Sequence, residues 1–596
     1  MRFLNRSWAG MCLLTGMVSG LSYGALPEAL QQAPADSQVV IVSQPLAQIS
    51  AKTDLFARQA QLPLPGNAAL NLGQMIDGEL GLGGQLDSTR GLVVCIGDLS
   101  ESPEESLVVF LPVKDAQAAI KASGAEASPD AKGVWEMSAK NVCFMPAGKV
   151  LLMGPHAEWL TAVAQKPKGV KLSPADQALF EQCDVAAIIR LEVVLAKARQ
   201  EMLDGLAGDE DIKAHPAVAA IATMGIERLG ELQHVAIGGR FVKEGVALTA
   251  RVQARAETTL AKYLTNHPGT TAAAFGKLPN ADYLFAQVLR CDPRLIIGPM
   301  NAIVDALVKD TTLSNKMDAA EVNELKTILQ RMYGKTLGDG AAEAMYVPAS
   351  SGGGPGAMRF VEVTAQKDVA AVMGEVPRMC ALVSKAIERA GFALPITYAV
   401  KAGTTDGLSY DELTLDLSQL PLPAEAMQAL AMQWGGQAKF SEQICLVGAE
   451  RVAVGAGPGC LGQAVKLAKG GGGLDKDPNM ARVARNLPGE ANVLAAVNVG
   501  NYFRWALSPM MGGGPQANPM MMMMGMMFGQ VRGTMGFAAV LKEGAVQVDV
   551  FVPTDLVESV AGAVMQMQAG MMQPGTGPGA GGPRGRQSPP PGPSTF

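Results

Sequence analysis

The chain has 596 residues, of which 48% are hydrophobic and 17% charged, and its net charge is −6. So few charges beside a full apolar complement point to extensive burial rather than a solvated, unfolded chain. The mild acidity and the lack of a basic stripe leave no footprint for nucleic acid, so no such partner is expected.

Residues 1–24 read as a secretory signal peptide. Arg2 and Arg6 supply the positive start, an apolar run extends from Trp8 to Leu21, and Ser22 and Gly24 are small enough for cleavage. About 14 apolar residues fall short of the ~20 that span a bilayer. Cys12 follows Met11 rather than a small residue, so lipidation is not expected. The protein is therefore expected to be exported, periplasmic or extracellular, with no transmembrane span in the mature chain. Seven cysteines remain after cleavage: Cys95, Cys143, Cys183, Cys291, Cys380, Cys445 and Cys460. An odd, scattered set is no disulfide framework and has no zinc spacing, so buried free thiols are expected.

Four segments open alike, with a small or acidic start before a short apolar run: Pro34–Ser43, Cys183–Leu191, Asn280–Leu289 and Glu490–Val499. Such runs predict strands buried in a sheet. Helical patterns beginning Lys-Asp, Lys114–Lys121 and Lys367–Gly374, each follow an apolar strand pattern, Leu107–Leu111 and Phe360–Val363. Asn141–Pro155 lines up with Gln443–Pro458, setting Cys143 opposite Cys445. His234–Val246 lines up with Thr534–Val546. Beyond them, Val246, Leu248, Ala250 and Val252 form a period-two stripe that Val546, Val548, Val550 and Val552 repeat. That alternation belongs to an antiparallel sheet with one covered and one wet face.

Three turns are predicted. Lys243-Glu244-Gly245 and Lys542-Glu543-Gly544 are one residue out of phase with their stripes, so the two turns should differ. Asp406-Gly407 joins Ile396–Lys401 to Leu413–Leu417 as a hairpin. Glycine-rich breaks stand at Ser350–Gly356, Gly470–Gly473 and Gly512–Pro515. The expected architecture is α+β: two tandem homologous modules, 25–270 and 271–567, each an antiparallel sheet with helices packed mainly on one face. A Gly/Met-rich insertion falls near 509–530, and residues 568–596, rich in Gly and Pro, are expected to be disordered.

Catalytic patterns are missing. His156, His215, His234 and His267 form no metal or base motif, and no GxSxG elbow nominates a serine. Tyr333-Gly334-Lys335-Thr336 has Leu329 where a P-loop needs its first glycine. Gly455–Cys460 has Cys460 in place of a third glycine and reads as a strand-to-helix turn. No enzyme activity, catalytic residue or cofactor is expected. The unusual feature is methionine: Met520, Met521, Met522, Met523, Met524, Met526 and Met527. Thioethers suit Cu(I), which makes these candidate metal ligands. A contiguous run, however, surrounds a helix rather than lining one ligand face, which suits an adaptable packing segment or lid.

The strand openings Leu278–Asp282 (LPNAD) and Leu487–Ala491 (LPGEA), the Lys-Asp helices and the hairpins ending Gly154-Pro155 and Gly457-Pro458 carry a resemblance. The chain resembles exported bacterial repeat proteins of unknown function, of planctomycete and verrucomicrobial type. The resemblance implies an envelope or secreted location and no catalytic residues. The function expected is a non-enzymatic envelope protein acting as a binding or scaffolding module, its partner an envelope protein or an apolar ligand. Two alternatives stand beside it: soft-metal (copper) binding through the methionines, and carriage of a lipid or other apolar ligand.

Overall fold

The computed structural model describes residues 28–62, 71–99, 103–128, 131–209, 216–265, 267–309, 318–349, 359–389, 396–416, 439–511 and 528–572. The expected signal segment, the Met520–Met527 run and residues from 573 onward lie outside the described residues.

The chain opens with β1 (Val39–Ser43), α1 (Leu46–Gln59), α2 (Leu72–Leu80), β2 (Val93–Ile96) and β3 (Leu107–Pro112). Then come α3 (Ala116–Ser123), β4 (Glu126–Ala127), β5 (Trp135–Met137), β6 (Val142–Ala147) and β7 (Val150–Gly154). Next are α4 (Ala157–Gln165), α5 (Pro174–Gln182), β8 (Val185–Arg190), α6 (Glu192–Gly208) and α7 (Pro216–Leu229). The long hairpin β9 (Leu232–Val242) and β10 (Gly245–Ala254) leads to α8 (Thr259–Tyr263).

The second stretch begins with β11 (Tyr283–Leu289), α9 (Arg294–Lys309), α10 (Ala319–Asp339), β12 (Ala341–Tyr346) and β13 (Phe360–Gln366). It continues with α11 (Val369–Arg389), β14 (Ile396–Thr405), β15 (Leu408–Asp416), β16 (Lys439–Val447) and β17 (Arg451–Ala456). After α12 (Cys460–Lys469), α13 (Pro478–Asn486), β18 (Val493–Asn498) and α14 (Val499–Met511) come β19 (Thr534–Lys542), β20 (Ala545–Pro553) and α15 (Thr554–Met572).

Local chemistry sets the ends of these helices. Asp115 accepts from the backbone of Gln117 and Ala118 to start α3, and Gly124, at φ 70°, ends it where a side chain would strain. Ser173 and Asp477 cap α5 and α13 in the same way, each just ahead of a proline whose missing N–H is harmless there. Asp318 and Glu321 form a reciprocal capping box on α10.

Among the described residues all strands join one antiparallel sheet. Outward from its middle on one side the order is β10, β9, β8, β1, β2, β3, β7, β6, β5, β4. On the other side it is β20, β19, β18, β11, β12, β13, β17, β16, β15, β14. Position by position, the elements match in chain order. Cys143 and Cys445 lie on β6 and β16, at the same place in the two orders, and both are buried. Asp184 and Asn492 precede β8 and β18 with the same backbone bonds, donating to Gly239 and Ala539 and accepting from Gln44 and Arg290.

The two sets of ten strands meet where β10 pairs with β20, from Gly245 opposite Pro553 to Gln253 opposite Ala545. Thr249 and Asp549 face each other at the middle of this ladder, the threonine hydroxyl donating to the carboxylate at 2.6 Å. The flanking turns differ as their phase predicts. Glu543 and Gly544 both take positive φ (55° and 73°), the pairing that favours glycine second, whereas Lys243-Glu244 does without it. Asp406 and Gly407, at φ 47° and 78°, make the same positive-φ turn between β14 and β15.

Helices cover both faces, where one-sided cover was expected. Val93, Cys95, Val108 and Phe110 pack with Leu160 of α4 and Phe180 of α5. Their alternating neighbours Val94, Val109 and Leu111 pack with Leu46, Ile76 and Ile120 of α1, α2 and α3 on the other side. Strands buried on both faces need continuous apolar runs, and VVIVS and LVVFLP are such runs. Fully burying a side chain such as Phe110 or Leu111 stabilises by roughly 1.5–3 kcal/mol. In the C-terminal set, Val361, Val363 and Ala453 pack with Leu461 and Val465 of α12. The seven cysteines are free thiols. Burial pushes Cys95 and Cys183 up to about 12, which keeps them unreactive.

Candidate functional site

The registers fix which side chains share a face at the middle of the sheet. One row crosses eight strands as Val94, Ile41, Ala187, Ile237, Ala250, Val548, Ala539 and Val493. The rows on either side of its centre read Val235, Val252, Val546, Leu541 and Gly239, Leu248, Val550, Phe537. No charge interrupts them. The opposite face of the same strands carries His234, Arg251, Thr249 and Asp549, because successive residues of a strand point to opposite sides.

What distinguishes the apolar face is that its centre is open. Ile237 is 45% exposed and Val548 39%, although both lie many strands from either edge of the sheet. A lone exposed aliphatic residue is ordinary, but a contiguous uncharged patch centred on open side chains marks a binding surface. Helices nearby are also unsaturated. On α15, which packs against β10, β20 and α1, Val560, Val564 and Met565 remain exposed, as do Val218 and Leu229 on α7. The Phe56 ring of α1 lies 4.4 Å from that of Phe241, closing one end of the patch.

Further along the same face the floor turns acidic. Gln287, Glu343 and Thr364 stand side by side, with Gln287 donating to Glu343 at 3.0 Å. Glu362, one row on, accepts from Thr364 at 3.1 Å. Burial first, and the Glu343 carboxylate next, push Glu362 up to about 7 from an ordinary 4.5. Asp184 behaves likewise: burial outweighs its 2.7 Å pair with Lys52 and raises it from 3.8 to about 6. A carboxyl whose folded pKa is raised binds more protons folded than unfolded. Its contribution is full below the unfolded value and is lost as pH rises through the folded one. Stability is therefore expected to fall between pH 5 and pH 8. In urea titrations across that range, Glu362→Gln should flatten the slope above pH 6, and an unchanged slope would assign it elsewhere.

Met520 through Met524, Met526 and Met527 fall outside the described residues, as does His215. Among the described residues no group of three or more His, Cys, Asp or Glu is arranged to hold a metal ion. His156 occupies the N-cap of α4 without a capping bond. His267 accepts from the Asp292 backbone through Nδ1 at 3.2 Å and lies against the Tyr263 carbonyl, a structural role. Tyr333–Thr336 lies inside α10, where no phosphate loop can form, and Gly455–Cys460 is the β17-to-α12 turn. Of the described histidines, His234 alone forms a close pair with an acidic side chain, Asp176. Among the described residues no helix is long and apolar enough to cross a membrane.

No protein-family model and no curated protein matches the sequence. Two crystal structures of TP0453 are similar over part of the chain. Form I is 10% identical and covers 39% of this chain and 80% of its own, at a TM-score of 0.21. Form III is 9% identical and covers 41% and 89%, at 0.22. Likeness of that extent describes neither the site nor a role.

Proposed function

We propose that this is an exported, non-enzymatic binding protein of the cell envelope whose open apolar sheet face holds an elongated apolar ligand, such as a lipid acyl chain. The observation that carries the proposal is the half-exposed pair Ile237 and Val548 at the centre of an uncharged patch. Water against such a surface is unfavourable by about 25 cal/mol for each Å² of apolar area, so an occupant that removes the water gains that energy. The aliphatic lining offers shape and apolar contact but few hydrogen bonds, which suits a hydrocarbon chain better than a sugar or peptide. The charged-then-apolar start of the chain supports export, and the Glu343–Glu362 end of the floor supplies a polar boundary.

Solvent extraction and native mass spectrometry of freshly isolated protein test the proposal. A co-purifying lipid at one per chain is expected. Ile237→Glu combined with Val548→Glu should weaken binding of a fluorescent acyl probe roughly tenfold or more, since the burial lost at two aliphatic residues is worth several kcal/mol. A ligand-free spectrum together with unchanged probe binding in the double variant would contradict it.

A further inference from the structure

The opposite face of the central strands encloses a buried polar trio. Asp176 of α5 is fully buried, His234 of β9 is 7% exposed and Arg251 of β10 is 6% exposed. Asp176 Oδ2 lies 3.0 Å from His234 Nε2 and accepts from the Ser173 hydroxyl at 2.5 Å, while Oδ1 lies 3.4 Å from Arg251 Nη1. Burial raises the Asp176 carboxyl, but His234, Ser173 and Arg251 together more than offset it and hold it below its ordinary value. The trio is incomplete as an ion-pair cluster. His234 Nε2, although close to Asp176, is buried without a hydrogen-bond partner. The single Arg251 contact is long for a charge-assisted bond, which typically measures about 2.7–2.9 Å, so the guanidinium fork is not consumed. All three residues line a cavity of about 500 Å³, with Lys171 and Arg190 also in its wall. Glu192 and Glu543 stand exposed at its rim, where water screens them.

The corresponding place in the C-terminal set of strands has no such group. There α13 takes the place of α5, starting from the Asp477 cap and Pro478 where α5 starts from Ser173 and Pro174. Met480 consequently stands where Asp176 does. Matching β19 with β9 and β20 with β10 by their ladders sets Thr534 at the place of His234 and Phe551 at that of Arg251. Met480, Thr534 and Phe551 are all buried, and Met480 and Phe551 belong to the main apolar core. Apolar packing at such a place is usually as stable as a buried ion cluster or more so, because no charge is desolvated. A polar trio kept on one side only, lining a cavity and including the unpartnered, buried His234 Nε2, has the character of a ligand site.

We propose that this cavity binds a small molecule through an oxyanion, a carboxylate or phosphate group, held by the Arg251 fork and the His234 ring with Lys171 at the mouth. The site is on the other face from the acyl-chain surface, so the two ligands are independent and either can fail alone. Calorimetric titration of the full mature chain at low ionic strength, with inorganic phosphate and with acetate in separate arms, tests it. One saturable site per chain is expected, and the arm that saturates names the group. The variant carrying Asp176→Met, His234→Thr and Arg251→Phe copies the C-terminal arrangement. It should melt no lower than the parent and bind at least tenfold more weakly. Should that variant not fold, Arg251→Lys keeps the charge without the fork, and it should weaken binding severalfold. No saturable heat in either arm, or parental affinity in the folded variant, would overturn the proposal.

Discussion

Ala250→Pro is expected to destabilise the protein by about 1–3 kcal/mol through the orphaned ladder acceptor alone, and by more through the clash of its ring. Ala250 lies in β10 between Ile237 of β9 and Val548 of β20, with ladders on both sides. Proline there removes a backbone donor that the sheet interior cannot replace, and its ring forces the neighbouring strand away. The loss should appear as a lower urea midpoint at nearly the same slope, because the surface exposed on unfolding is unchanged. Because β10 is also the seam, the damage should not stay local. Amides of β9 and β20 should lose exchange protection together, while those of β6 and β16, remote from the seam, keep theirs. A variant that lost less than about 1 kcal/mol would mean that the seam is not a working part of the sheet.

Asp176→Ala is the second large effect, expected to cost about 3–5 kcal/mol. The mechanism is the asymmetry of buried charge. Removing the carboxylate leaves Arg251 inside the protein with its anion gone, and leaves Ser173 without its side-chain acceptor. The triple exchange to the residues of the C-terminal set removes the charges on both sides and should cost little or nothing. The contrast between a damaging single change and a harmless triple one, measured by chemical denaturation, is the signature of a cluster retained for something other than stability. Equal damage from both would assign the trio to the fold itself.

The sequence made the architecture partly legible through features whose physics is local. The four strand openings became β1, β8, β11 and β18, and the Lys-Asp segments became the starts of α3 and α11. Asp406-Gly407 and Glu543-Gly544 make positive-φ turns because few other residue pairs enter that region cheaply. Other features depend on distant partners. The stripe Val546, Val548, Val550, Val552 tells which residues share a face, but not that β20 pairs with β10. The cover of both faces was signalled by the unbroken run Leu107–Leu111, since one-sided strands alternate.

The polar site was hidden for a similar reason. Asp176, His234 and Arg251 lie in three separate elements, and no spacing links them. One signal was present: where the two long hairpins align, His234 stands opposite Thr534, a polar ring against a small hydroxyl at a buried position. The open apolar patch left no comparable sign, because Ile237 and Val548 look like any inward-facing strand residue until their exposure is known.

A disulfide across the seam tests whether the two sets of strands form one sheet with Thr249 opposite Asp549. Facing residues of an antiparallel pair have Cβ atoms about 4.5–5.5 Å apart, close enough to cross-link with little movement. With Thr249→Cys and Asp549→Cys together, mild oxidation of the folded monomer should yield an intramolecular 249–549 bond in nearly every chain, identified by peptide mapping. Two thiols that stay free, or that react only between molecules, would contradict it.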